Sequence, residues 1–167
     1  NEATVIIWDD NETARHHAQQ AGYQVENPDN INFQKLEALL LAPGVPLTHK
    51  FVETARLYKI DVINDIHLLF RANPKATYIG VTGTNGKSTT TALITHILKT
   101  TGRKVQMGGN IGTAALALEP MGKDDLCVLE LSSYQLDLLE EHPLKVAVIL
   151  NVTPDHLSHH GDMASYV

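Results

Sequence analysis

The sequence predicts an α/β protein built on a parallel sheet, and three features carry that expectation. Strand-like and helix-like apolar patterns alternate along the chain. A glycine-rich loop joins one strand to one helix, and polar residues bunch just past the ends of apolar runs. In order, residues 4–8 read as a strand and 12–21 as a helix capped by Asn11 and stopped by Gly22. Residues 23–25 form a short strand, 32–36 a helical turn and 37–41 another strand, closed by the turn Ala42-Pro43-Gly44-Val45-Pro46. Residues 51–58 read helical, 62–64 as a strand and 66–72 as a further helix. Asn73-Pro74-Lys75 then breaks the pattern and marks a domain boundary between 1–75 and 76–167.

Residues 76–81 read as a buried strand, and residues 91–98 as a helix with Leu93, Ile94, Ile97 and Leu98 at helical spacing. A strand at 104–107 leads into a turn at 108–112 and a helix through Leu118. Residues 126–131 and 145–152 are the last two strands.

With 43% hydrophobic and 19% charged residues, the 167-residue chain can build a real core and shows no compositional sign of disorder. A net charge of −6 and a pI near 5.8 exclude nonspecific nucleic-acid binding, which needs a basic face, but leave a local phosphate site open. The single cysteine, Cys127, lies in an apolar run and reads as a core residue, so no disulfide forms within the chain. No apolar run approaches the ~18–20 residues of a membrane span, and no signal peptide is expected; a cytoplasmic setting is expected with it. The chain starts without Met almost directly in a strand and stops in mid-pattern, as a piece of a longer protein would.

Chemistry concentrates in Gly80-Val-Thr-Gly83-Thr84-Asn85-Gly86-Lys87-Ser88-Thr89-Thr-Thr91. A glycine loop between a strand and a helix aims backbone N–H groups and the positive helix end at one small volume suited to phosphate oxygens. Lys87 offers a positive charge for β/γ-phosphates, and the Ser88 hydroxyl can ligate Mg²⁺. Gly83, Thr84, Asn85, Gly86, Lys87, Ser88 and Thr89 are therefore the ATP-binding candidates. The fit to G-x-x-x-x-G-K-[ST] is partial, because Val81 occupies the first glycine position. A glycine turn with a surface lysine is the alternative, and the flanking strand and helix weigh against it.

Glu130 ends an almost wholly apolar strand, where a carboxylate either reaches water or meets a cation such as Mg²⁺. His156 either caps its loop or binds metal. His156, His159 and His160, flanked by Asp155 and Asp162, also resemble a transition-metal cluster, although they lack the spacing of a recognised zinc motif; the other reading is a polar loop.

Four blocks occur in order: Gly83-Thr-Asn-Gly-Lys-Ser-Thr-Thr-Thr91, Gly108-Gly-Asn-Ile-Gly112, Glu130-Leu-Ser-Ser-Tyr-Gln-Leu136 and Ile149-Leu-Asn-Val-Thr-Pro-Asp-His-Leu157. Together they resemble the Mur ligases of bacterial cell-wall synthesis, and most closely the D-glutamate-adding branch. The resemblance is weak before residue 42 and strong after residue 78. It implies a truncated Rossmann-like N-terminal domain for the uridine diphosphate at 1–75, followed at 76–167 by part of a P-loop-containing parallel-sheet ATPase domain. The resemblance also implies a C-terminal domain that brings the amino acid, which residues 1–167 are expected to lack.

The implied reaction joins D-glutamate to UDP-N-acetylmuramoyl-L-alanine at the expense of ATP, through an acyl phosphate, for peptidoglycan synthesis. The implied parent is a monomer, and this fragment alone is inactive. By position, Asp9 and Asp10 would meet the uridine end with Gly44 close by. Asn110 would face the pyrophosphate, and Ser132 and Gln135 the muramoyl-alanine part. Lys87, Glu130 and His156 would be catalytic, with Ser88 and Glu130 on one Mg²⁺ and His156 on a second.

The family continues His-Leu-Asp-Arg where this chain has His156-Leu157-Ser158-His159, so a carboxylate and a guanidinium are missing there. The family's carbamylated lysine would fall beyond Val167. The competing readings are another Mur ligase, a folylpolyglutamate synthetase-like ligase, and a non-catalytic P-loop nucleotide-binding module.

Overall fold

A computed structural model describes residues 3–139 and 142–167. The chain divides into two compact units: residues up to Leu39 together with Thr48–Asp61, and Leu40–Leu47 together with Val62–Val167.

In the first unit, β1 (Ile6–Ile7) and β2 (Gln24–Val25) pair in parallel around helix α1 (Glu12–Gln20). The Asn11 side chain accepts from the amides of Thr13 and Ala14, and Gly22, at φ +86°, turns the chain out of the helix. Strand β1 is shorter than the expected residues 4–8, and Val5 is exposed. Helix α2 (Lys50–Leu57) starts at His49, whose ring nitrogen accepts from the Phe51 amide. Phe33, on a short 3-10 turn (Phe33–Lys35), stacks on Phe51 and Tyr58 at 6.4 Å between centroids. Strands β3 (Ala38–Leu40) and β4 (Asp61–Ile63), each of which runs across a boundary between the units, make a second two-stranded sheet.

The second unit is organised by a four-stranded, all-parallel sheet in the order β6 (Val105–Gly109), β7 (Leu126–Glu130), β5 (Thr77–Thr82), β8 (Leu144–Ile149). Every residue of β7 is buried, as a strand covered on both faces must be. Strand alternation sends Cys127 and Leu129 to one face, where they pack with Tyr78 and with Ile66, Leu69 and Phe70 of α3 (Asp65–Ala72). Leu126 and Val128 point the other way, onto Ile94 and Leu98 of α4 (Lys87–Thr100). The mixed α/β class with parallel sheets is thus the observed one.

Some local expectations fail. Thr91 and Thr95 are buried while Leu93 and Ile97 lie half exposed, so α4 does not bury its whole apolar repeat. Gly108 and Gly109 belong to β6, and the expected turn begins only at Asn110. The helix expected through Leu118 is a single 3-10 turn, Ala115–Ala117. Strand β8 stops at Ile149, short of residue 152.

The compact units also divide at residues 61/62, ahead of the breaker at 73–75. The reason is packing: α3 belongs to the core under the large sheet. Asn73, buried, ties it there by donating to the Leu69 carbonyl (3.2 Å) and accepting from the Met121 amide (2.7 Å). No helix among the described residues is long and apolar enough to cross a membrane.

Candidate functional site

Because all four strands of the large sheet run parallel, their C-terminal ends open on one edge, where open α/β sheets bind ligands. From β5 the chain passes through Gly83 (φ +136°) and Gly86 (φ +85°) into α4. A Cβ on Gly83 would lie 3.0 Å from the Asn151 carbonyl oxygen, so the loop runs tight against the segment after β8. Gly86 is the residue that precedes α4, and no side chain caps that helix. The amides of its first turn, at Lys87, Ser88 and Thr89, therefore have no intrahelical acceptor and suit an anion. Lys87 folds back over the loop, its Nζ donating to the carbonyls of Gly83 (2.7 Å) and Thr84 (2.9 Å). Its charge is thus held at the cradle.

Asn151 fixes the loop from outside. Its backbone carbonyl accepts from the Thr84 amide (3.0 Å), its Oδ1 from the Asn85 amide (2.9 Å), and its Nδ2 donates to the Asn85 carbonyl (2.9 Å). The Thr84 hydroxyl adds two bonds, donating to the Thr153 carbonyl and accepting from the Thr153 amide. Motif reading missed Asn151. An asparagine directly after an apolar strand next to the loop strand was the available signal.

Glu130 pairs in register with Val81 on β5 and with Gly109 on β6. Alternation along β7 puts its side chain on the α4 face with Leu126 and Val128. It is 3% exposed, so the water-reaching alternative fails. Oε1 accepts from Asn110 Nδ2 (3.0 Å), whereas Oε2 is buried with no hydrogen-bond partner. Such an orphaned carboxylate oxygen is costly unless a cation meets it. On that observation Glu130 fits a cation such as Mg²⁺.

Asn110, expected at the pyrophosphate, is engaged with Glu130 through its side chain and with the Glu130 carbonyl through its amide (2.9 Å). Ser132 and Gln135 form a reciprocal capping box at the start of α5 (Ser133–Leu136). Gln135 is buried, its Oε1 accepting from Ser132 and its Nε2 donating to Asp65 (3.3 Å). Gly44, at φ +89°, lies in a turn that shares a small cavity with Tyr134, Gln135 and His159, so two expected substrate-side positions line one concavity.

His156 follows β8 in a left-handed conformation (φ +52°), unusual for a residue with a Cβ. Its half-exposed ring lies 3.6 Å from Asp155 and 5.1 Å from the Tyr134 ring, and it makes no cap bond to the helix it precedes. In the first unit, Asp10 accepts from the Trp8 indole N–H (3.1 Å) and meets His49 (3.3 Å); the indole first, then His49, holds its carboxyl below the usual value. Asp9 accepts from the Asn11 amide.

A family model for the Mur ligase middle domain matches residues 81–167, more than half of the chain. The chain belongs to the Mur ligase family. Among curated relatives, it is 47% identical over 169 residues to a UDP-N-acetylmuramoylalanine–D-glutamate ligase of Paramagnetospirillum magneticum, covering 99% of this chain and 37% of the relative. It is 45% identical over 172 residues to the Brucella abortus protein of the same name, again covering 37% of that relative and 98% of this chain. This Mur ligase chain thus spans little more than a third of those relatives' length. Among solved structures, a UDP-N-acetylmuramate–alanine ligase of Thermotoga maritima matches with a TM-score of 0.48 at 24% identity, over 92% of this chain and 36% of that one.

Proposed function

We propose that the protein to which this chain belongs is an ATP-dependent amide ligase that joins D-glutamate to UDP-N-acetylmuramoyl-L-alanine in peptidoglycan synthesis, in the cytoplasm. The observation that carries the reading is the buried, partnerless Glu130 Oε2 on the same sheet face as the uncapped start of α4. A plain nucleotide binder has no need of the serine- and glutamine-bearing segment that follows β7. The names of the relatives support the choice of D-glutamate.

In this reading Gly83–Thr89 holds the triphosphate. The Lys87 ammonium leaves the loop carbonyls for the β/γ-phosphates, and the first-turn amides of α4 take oxygens that no side chain contests. Mg²⁺, held by Glu130 and Ser88 with His156 at a second ion, would offset the repulsion between triphosphate and the substrate carboxylate. Asn110 orients Glu130 by its 3.0 Å bond, leaving Oε2 as the free ligand atom. Asn151 keeps the loop from collapsing when Lys87 moves. The substrate carboxylate attacks the γ-phosphorus of ATP, the bond to the bridging oxygen breaks and ADP leaves, giving an acyl phosphate; the amine of D-glutamate then adds at the acyl carbon, gives up a proton and displaces phosphate. Ser132 and Gln135 are assigned to the muramoyl-alanine side, Asp9 and Asp10 with Gly44 close by to the uridine end, with 1–75 the uridine-nucleotide domain and 76–167 the ATP domain.

The test is ligase assay of the complete protein with D-glutamate, L-glutamate, L-alanine and meso-diaminopimelate. D-Glutamate alone supports turnover, and Lys87→Ala abolishes it with the fold intact. Turnover with another amino acid, or near-normal activity of Lys87→Ala, would refute the assignment.

A further inference from the structure

The loop after β8 returns to α5 and brings a second group of ligand-bearing side chains together, separate from Glu130 and His156. His159 and His160 lie on a single helical turn, α6 (Leu157–His160), and face Asp137, the residue just after α5. His159 Nε2 is 3.1 Å from Asp137 Oδ2, and His160 Nδ1 is 3.7 Å from the same oxygen. One donor atom from each residue falls within 4.8 Å of the other two. Metal–ligand bonds of roughly 2.0–2.1 Å at tetrahedral angles separate ligand atoms by about 3.3 Å, so these side chains need to move little. Both imidazoles are largely withdrawn from water, with side-chain exposures of 10% and 5%.

The surroundings add a second, independent indication. His160 Nε2 meets the Ser133 hydroxyl at 2.9 Å, leaving its Nδ1 as the atom turned to Asp137. An outer partner on one ring nitrogen that fixes the other is the usual support of a metal-bound histidine. Tyr134 packs edge-on against His159 at 4.3 Å and closes that side. Two imidazoles and one carboxylate are a donor set for borderline ions, whereas Mg²⁺ prefers oxygens and water. We infer that Asp137, His159 and His160 bind one transition-metal ion of the Zn²⁺ class. It would clasp α5 to α6, with water completing its coordination. The inference rests on this cluster and not on the ligase assignment.

Co²⁺ is the probe, because its visible absorption reports coordination. Untagged protein titrated with Co²⁺ at neutral pH should show one equivalent bound, with the intense bands of a four- or five-coordinate ion. No thiolate charge-transfer band should appear, since Cys127 is buried. Zn²⁺ should displace the Co²⁺ and raise the melting temperature, while Mg²⁺ should not displace the Co²⁺. Asp137→Asn and His159→Gln should each weaken binding by at least about tenfold, and Ser133→Ala by a smaller factor. His16→Gln/His17→Gln, which removes the adjacent histidine pair on α1, should leave it unchanged. Metal-free circular dichroism checks that each variant folds; a variant that does not is replaced by Asp137→Ser or His159→Asn. Octahedral-type weak bands, binding unchanged in the Asp137 and His159 variants, or loss of binding in the α1 variant would overturn the site.

Discussion

At Glu130, removing the charge separates two effects that usually travel together. Oε2 is buried and unpartnered, so the carboxylate burdens the metal-free protein. Glu130→Gln should therefore raise metal-free stability, by about 1 kcal/mol in urea melts, while impairing any function that needs a cation there. A loss of several kcal/mol would mean that the carboxylate serves the fold. Asn151→Ala works in the opposite direction. It removes two side-chain hydrogen bonds to Asn85 and should cost about 1–2 kcal/mol of stability, read in the same melts. The glycine loop between strand and helix, with Gly83 and Gly86 at its turns, was legible because it follows from residue type and strand–helix context. Asn151 was not singled out, because its partners lie 66 residues away and its place directly after an apolar strand does not name them.

Among the elements, α4 shows where hydrophobic periodicity misleads. Thr91 and Thr95 face the sheet because small residues let the helix approach it, and the Thr95 hydroxyl hides its polarity by donating to the Thr91 carbonyl (2.7 Å). Reading apolar residues alone, the sequence put Leu93 and Ile97 on the inner face. The Thr91 hydroxyl has no partner, so Thr91→Val, nearly isosteric, should stabilise the chain by about 1 kcal/mol with nucleotide binding intact. Destabilisation would show that Oγ1 has a ligand or water to serve. Strand β6 ran two residues past its expected end for a similar reason: Gly108 and Gly109 pair with β7 where a larger residue does not fit. A Cβ on Gly109 would collide with the Glu130 carbonyl, and its φ is +93°. Gly109→Ala should cost on the order of 2–3 kcal/mol in thermal or urea melts and disturb the Asn110–Glu130 contact. The α/β alternation was legible through α4, since the strand and helix periods differ so sharply, whereas the helix expected through Leu118 is a 3-10 turn.

Across the whole molecule, the core beneath the sheet makes stability depend on alkaline pH. Burial pushes the Cys127 thiol from 9.0 up to about 12. Burial first, and then the neighbouring thiol, raise the Tyr78 phenol from 10.0 to about 12. Both groups ionise earlier in the unfolded chain, so their contribution is complete below about pH 9 and is lost as pH climbs toward 12. Each steepens the decline by at most roughly 1.4 kcal/mol per pH unit. Cys127→Ala should lower stability at neutral pH through its cavity yet flatten the fall between pH 9 and 11, which melts across that range would measure. The same core explains why the compact units part at 61/62: α3 packs under the sheet, and a break in local pattern at 73–75 could not reveal that. The most direct test of the proposed nucleotide site is calorimetric titration of ATP into this chain and its Glu130→Gln variant, each with and without Mg²⁺. The account predicts binding to the parent chain that Mg²⁺ strengthens, and binding to the variant that Mg²⁺ leaves unchanged. Equal Mg²⁺ dependence in both would contradict it.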